Sequence, residues 1–197
     1  MGKIYYIMGK SASGKDTLYA KMLDECPKMR KITLYTTRPI REGETDGVEY
    51  HFVTPEDIER FKEEGRLIES RTYDTVYGPW TYATVDDGSV KLDKRNYVAI
   101  GTLESYGHIK DYYGEENVRP IFIEIDPGIR IQRALNREMM QPEPKYAEMC
   151  RRFLADEEDF SEDNIYAAGI RKRYINDDVK RCFAEIIDDM DKDAVKK

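Results

Sequence analysis

Along this chain, short apolar runs alternate with longer segments whose apolar residues recur at helical spacing. Residues 3–8, KIYYIM, form a run rich in Ile and Tyr that predicts a buried strand. DTLYAKMLDEC then carries Leu18, Met22 and Leu23 at roughly helical spacing. RKITLYTT at 30–37 predicts a second strand and YHFV a short third one, separated by the charged, Gly- and Pro-bearing loop RPIREGETDGVEY. TPEDIERFKEEG reads as a helix with Thr54 as its cap, Pro55 at the first helical position, Asp57 completing a capping box and Gly65 as the stop. RLIESRTY is strand-like again, as are NYVAIG at 96–101 and VRPIFIEI at 118–125, with the helical TLESYGHIKDYYG between the last two. Asp126-Pro127 opens the helix PGIRIQRALNREM, KYAEMCRRFLADEEDF is the next helix, RYIND a last short strand, and DVKRCFAEIIDDM a closing amphipathic helix whose tail, DKDAVKK, is expected to fray. Strands alternating with helices predict an α/β fold with a doubly wound parallel sheet. The mixed block at 38–90 predicts a small lobe inserted into a core made of residues 1–37 and 91–197.

Composition narrows the function. The chain has 197 residues, and 32 basic against 39 acidic residues give a net charge of −7. That suits one compact domain with a small inserted lobe and argues against wholesale binding to nucleic acid or anionic membrane. No apolar run approaches a membrane span, and the N-terminus lacks the apolar core and cleavage site of a signal peptide. Gly2 does not make a myristoylation site, because Tyr6 stands where Ser or Thr is required. Cys26, Cys150 and Cys182 are scattered and odd in number, which predicts neither a metal pair nor a disulfide framework and points to the cytoplasm. His51 and His108 are too far apart in sequence to suggest a metal site.

The first chemistry-bearing stretch is IMGKSASGKDTL. Gly9-x-x-x-x-Gly14-Lys15 fits the phosphate-loop pattern except that Asp16 follows the lysine where Ser or Thr is usual. By composition alone such a pattern arises about once in twenty chains of this length. Its context is more specific: it follows the first predicted strand and opens a helix, so backbone N–H groups and the helix N-terminus converge on phosphates while the lysine neutralises them. Gly9, Lys10, Ser11, Ala12, Ser13, Gly14, Lys15, Asp16 and Thr17 are therefore the expected ATP-binding stretch. The second is YTTRPIREGETDGVEYHF. Arg38 and Arg41 are suited to hold a phosphate dianion through forked hydrogen bonds, with the Tyr50 hydroxyl as a further donor. A charged surface loop is the plain alternative.

Here the sequence resembles the guanylate kinase family. TTRPIREGETDGVEYHF is similar to that family's nucleotide-monophosphate signature, with Thr36, Thr37, Arg38, Arg41, Gly43, Glu44, Gly47, Tyr50 and Phe52 in place. The resemblance implies a P-loop NTPase-type sheet flanked by helices, an inserted nucleotide-monophosphate-binding lobe and a helical lid at about 130–150. It implies the reaction ATP + GMP (or dGMP) to ADP + GDP (or dGDP), with Mg²⁺, on small-molecule nucleotides, by a monomer or homodimer. It carries over further residues: Glu69 to the guanine edge, Tyr77 to the acceptor phosphate, and Arg133, Arg137 and one of Arg151 and Arg152 to the lid. RYINDD resembles the segment that runs beside adenine. Lys15, Arg38, Arg137 and Arg151 are then the expected catalytic set, acting by positioning and electrostatics.

Three departures gather near the base and the metal. Leu34 stands where the family usually has a serine, PWTYAT follows Tyr77-Gly78 where a small polar residue is usual, and GTLESYG replaces the family's acidic segment, with Glu104 as a substitute carboxylate. They leave open a P-loop kinase for another phosphorylated acceptor, and a non-catalytic phosphopeptide-binding module. Asp16 and Thr17 are the candidate metal ligands, with Asp16 read either as a Mg²⁺ contact or as a first-turn carboxylate pointing away from the phosphates.

Overall fold

A computed structural model describes residues 2–75 and 78–195. Its main sheet has five strands, β1 (Ile4–Met8), β2 (Arg30–Lys31), β7 (Tyr97–Gly101), β8 (Val118–Glu124) and β9 (Arg173–Ile175), in the order β2-β7-β1-β8-β9. All four pairings are parallel, so the strands are joined by long crossovers and not by tight turns, the one from β2 to β7 passing through a second sheet. Every residue of β1 is buried. Its alternation sends Tyr6 and Met8 toward Tyr106, Ile109 and Phe160 on one face, and Tyr5 and Ile7 toward Leu18, Met22, Phe183 and Ile186 on the other. The first face is covered by α3 (Leu103–Tyr113), by Phe160 just past α5 (Tyr146–Asp159) and by α6 (Glu162–Ala167), the second by α1 (Lys15–Glu25) and α7 (Val179–Val195).

A second sheet of order β4-β3-β6-β5 contains β3 (Tyr35–Thr36), β4 (His51–Phe52), β5 (Leu67–Thr75) and β6 (Gly78–Val85). Helix α2 (Pro55–Glu63) lays Ile58 and Phe61 against Tyr35, Ala83 and Val85 in a small separate core. Its capping box is complete: Thr54 accepts from the Asp57 amide, and the Asp57 carboxylate accepts from the Thr54 amide at 2.9 Å. Helix α4 (Pro127–Met139) starts as the sequence predicts, with the Asp126 side chain accepting from the amides of Gly128 and Ile129.

Three local expectations change. The predicted strand at 30–37 is two strands in different sheets. Ile32 still donates to the Val98 carbonyl beside β7, but the Leu34 carbonyl already accepts from His51 in the second sheet. The run has strand-like residues along its length, and periodicity does not register a change of partner. Residues 78–85, where no element was expected, form β6, paired antiparallel with β5 from Leu67↔Val85 to Thr75↔Gly78. The closing helix runs to Val195, past the residue where fraying was expected. Among the described residues, no helix is long and apolar enough to cross a membrane.

Candidate functional site

The loop between β1 and α1 is held by its backbone shape and by a distant asparagine. Gly9 and Gly14 have φ of 153° and 87°, and Ala12, at 62°, is the non-glycine residue with positive φ among those described. A Cβ on Gly9 would lie 2.4 Å from the Ile123 carbonyl oxygen, and one on Gly14 would lie 2.2 Å from Asn176 Nδ2. Glycine is required at both for space as well as conformation. Asn176 is fully buried and donates through Nδ2 to the Ser13 carbonyl at 2.7 Å, while its backbone amide is tied to Glu124 at the end of β8. Thus the end of β9 buttresses the loop from 163 residues away in sequence. Helix α1 begins at Lys15, directing its first amides at the concavity.

Side chains around the loop are already partnered. Lys15 Nζ lies 3.8 Å from Asp16, whose side chain is 81% exposed in the first turn of α1. Ser11 donates its amide to Asp156 of α5 at 2.7 Å, and Lys10 Nζ pairs with Glu157 at 2.6 Å. Both acids also bind Arg130 of α4, which is 2% exposed and stacks 4.0 Å over the Phe153 ring. Burial lowers the Arg130 pKa, and the two carboxylates oppose that shift. Lys10 and Ser11 are therefore committed to α5. Ser13 is buried with its hydroxyl unpartnered.

On the second sheet, Arg38 is 4% exposed and forked onto Glu44, Nη1 at 2.8 Å and Nη2 at 2.5 Å. Glu44 also accepts from the Arg41 amide at 2.8 Å, which folds the loop around the pair. The Arg38 bond holds the Glu44 carboxyl at about 2, well below its ordinary value. The guanidinium lies 5.0 Å from the Tyr50 ring centroid and 5.3 Å from that of Phe52. Arg41 is exposed, and burial raises the Tyr50 pKa. A cavity of about 150 Å³ separates this group from α1, lined by Tyr19 on the α1 side, Leu34 and Tyr50 on the lobe side, and Tyr6 and Ile100 below. Leu34 thus lies on the wall of that cavity.

Glu69 is 6% exposed, with Oε1 accepting from the Thr84 hydroxyl at 2.7 Å and Oε2 from Arg71 Nε at 3.2 Å. Glu104 is exposed in the first turn of α3 and lines a larger cleft of about 670 Å³ together with Arg71, Tyr73 and Thr102.

Among the lid arginines, Arg133 reaches the loop: its Nη2 donates to the Asn176 carbonyl at 3.2 Å. Arg137 is exposed on α4. Arg151 and Arg152 are both exposed and both bound to Glu148, at 2.7 Å and 3.1 Å, on α5 itself. The structure therefore does not bring the expected set Lys15, Arg38, Arg137 and Arg151 together. Tyr77 lies outside the described residues. For Mg²⁺ the exposed Asp16 carboxylate and Thr17 hydroxyl are suitable donors, since that ion takes one or two protein oxygens with phosphates and water. No local signal in the sequence marks Arg130 or Asp156, whose partners are distant, or Arg71, whose partner Glu69 lies two residues away on β5. Asn176 was signalled only through the segment RYINDD.

Comparison with known proteins bears on this arrangement. The profile of the guanylate kinase family matches residues 1–181. A guanylate kinase of Symbiobacterium thermophilum is 32% identical over 192 residues, 94% of this chain and 82% of that protein. One from Syntrophotalea carbinolica is 44% identical over 78 residues, 39% of this chain and 37% of that protein. For four of the curated relatives the matched stretch spans only between 35% and 53% of their own length. A crystal structure of guanylate kinase from Anaplasma phagocytophilum superposes with a TM-score of 0.67 at 19% identity, covering 97% of this chain and 85% of the other, a likeness of fold.

Proposed function

The chain belongs to the guanylate kinase family, and we propose from this that it transfers the γ-phosphoryl group of ATP to the phosphate of GMP or dGMP. What supports this reading most is the placing of two phosphate-holding groups on elements that meet at one cavity. Tyr19 of α1, the helix that the phosphate loop opens, and Tyr50, which lies against Arg38, both line it. In-line transfer needs donor and acceptor phosphates held apart by about one phosphoryl group and little other chemistry from the protein.

Lys15 and the loop amides hold the β- and γ-phosphates. Arg38 is pre-set by Glu44, so its orientation is settled before substrate arrives. Arg41, Tyr50 and Tyr77 add donors to the acceptor phosphate. No general base is required, because that phosphate is already ionised near neutral pH. Glu69 and Glu104 face the base. Lobe 38–90 and the lid at 130–150 close over both nucleotides and exclude water. Arg137 and Arg151 then bind the transferring group, Arg151 having exchanged Glu148 for phosphate oxygens. The family is one of kinases that generally use Mg-ATP; Asp16 or Thr17 would hold the ion, directly or through water, and it would supply positive charge to the phosphates. On this reading the enzyme works in the cytoplasm, as a monomer or homodimer, and binds no nucleic acid.

A coupled ADP-release assay across GMP, dGMP, IMP, AMP, UMP and CMP tests it. We expect turnover with the guanine nucleotides, and a loss of at least about 100-fold in the Lys15→Ala protein. Preference for another acceptor would reassign the substrate; no ADP release with any acceptor would remove the activity.

A further inference from the structure

Leu34, on the wall of the 150 Å³ cavity, offers no hydrogen-bonding group to a base. A buried polar base edge needs partners, and its affinity falls steeply where they are missing. The face of the second sheet supplies a replacement. On β5, Glu69 and Arg71 are two residues apart and so project to the same side. Opposite them on β6 stand Thr84 and Tyr82. The Tyr82 ring lies 5.7 Å from that of Tyr50, which itself lies against Arg38. One strip therefore runs from the acceptor-phosphate arginine, over two tyrosines, to the Glu69–Arg71 pair.

Arg71 is held in a specific way. Glu69 takes its Nε–H at 3.2 Å, and Nη1 has a long contact of 3.4 Å to the Thr102 hydroxyl. Nη2 is bound to nothing among the described residues. The end-on fork of Nη1 and Nη2 is thus oriented by a buried carboxylate and turned to the 670 Å³ cleft it lines, with 17% of its side chain accessible. Such a fork matches the O6 and N7 acceptors of guanine. Beside it, each Glu69 oxygen has one bond filled and a lone pair left. A carboxylate there can accept from N1–H and the 2-amino group. Adenine offers a 6-amino donor at the position of O6, which a guanidinium repels.

We propose that Arg71 is a specificity-determining residue of the acceptor site, reading O6 and N7 of a 6-oxopurine nucleotide while Glu69 reads the adjoining N–H edge. This rests on the guanine nucleotide reading above. It places base recognition on β5, two strands from β3, at the 670 Å³ cleft and not in the smaller cavity that Leu34 lines.

The test uses GMP and 7-deaza-GMP, which lacks the N7 acceptor but keeps O6 and the N–H edge. Wild-type protein should prefer GMP. In Arg71→Met, kcat/KM for GMP should fall by about 5- to 150-fold, the value of a forked base contact, through KM with kcat unchanged, and the GMP over 7-deaza-GMP preference should vanish. Arg71→Lys keeps a cation beside Glu69, so the fold is preserved if the Met protein fails to fold; its preference should drop below that of wild type. A Lys variant with the wild-type preference, or equal losses on both acceptors, would show that Arg71 only steadies Glu69 and would overturn the assignment. So would a wild type that uses both acceptors equally well, which leaves the kinase activity standing. A wild type inactive on both would instead remove the activity beneath the proposal.

Discussion

The contact between Gly14 and Asn176 can be dissected by a double-mutant cycle. Asn176→Ala removes the 2.7 Å bond to the Ser13 carbonyl and leaves that buried acceptor bare, at a cost of about 1–3 kcal/mol. The Asn176 Oδ1 atom has no partner, so its removal offsets part of that cost and the net falls near about 1–2 kcal/mol. Gly14→Ala forces an L-residue into φ of 87°, worth about 1–2 kcal/mol. Its Cβ would also sit 2.2 Å from Nδ2, driving the amide off Ser13 and forfeiting the same about 1–2 kcal/mol. The single changes therefore share a term. The Gly14→Ala/Asn176→Ala protein should be about as stable as Gly14→Ala alone, which gives a coupling of about 1–2 kcal/mol. Urea unfolding of the four proteins, followed by circular dichroism and compared at equal slope, measures it. Losses that add to within about 0.5 kcal/mol would refute the view that Asn176 clamps the loop through this contact. The KM for ATP should rise in Asn176→Ala, because the loop amides lose their buttress.

Three further outcomes follow from the same geometry. Glu44 titrates at about 2 in the fold, below its ordinary value, so its pairing with Arg38 stabilises the protein above about pH 4.5 and that contribution is lost as pH falls toward 2; the difference in urea midpoint between wild type and Glu44→Gln should shrink over this window and stay constant above it. Arg130→Ala should destabilise by about 2–3 kcal/mol in thermal or urea melts, because it sets Asp156 and Glu157 against each other unscreened and strips the cover from Phe153, with the loss at the lower end of that for a broken buried pair since Glu157 is half exposed. Thr54→Ala should cost about 1 kcal/mol by the same melts, since it opens the capping box of α2, whereas Thr54→Ser should be nearly silent.

The departures from the family pattern are unevenly spread. Arg38, Glu44 and Tyr50 form one tight group as the signature implies, and Gly9, Gly14 and Lys15 adopt the strand–loop–helix arrangement that phosphate binding needs. Asp16, whose carboxylate breaks the loop pattern, is 81% exposed in the first turn of α1, 3.8 Å from Lys15 Nζ. Other changes fall on the lobe side, where Leu34 lines the smaller cavity and Arg71 joins Glu69.

Local features were legible without coordinates. The β1–loop–α1 unit, the capping box of α2 and the Asp126 start of α4 depend on neighbours within a few residues, and the side chain that satisfies each backbone group is written beside it. The parallel character of the main sheet also followed, because strands alternating with helices favour crossover connections. What tertiary structure alone decided depends on contacts far apart in sequence. The run at 30–37 divides between two sheets because its partner changes from Val98 to His51. Asp156 meets Ser11 across 145 residues, and Arg151 and Arg152 both turn to Glu148, leaving the phosphate loop to Arg133. Arg71 and Glu69 are near neighbours in the chain, yet their pairing gains meaning only when β6 brings Thr84 and Tyr82 opposite. Residue type sets what a side chain is able to bind; which partner it binds is chosen by the folded chain, where burial makes an unpaired charge or hydrogen-bonding group costly.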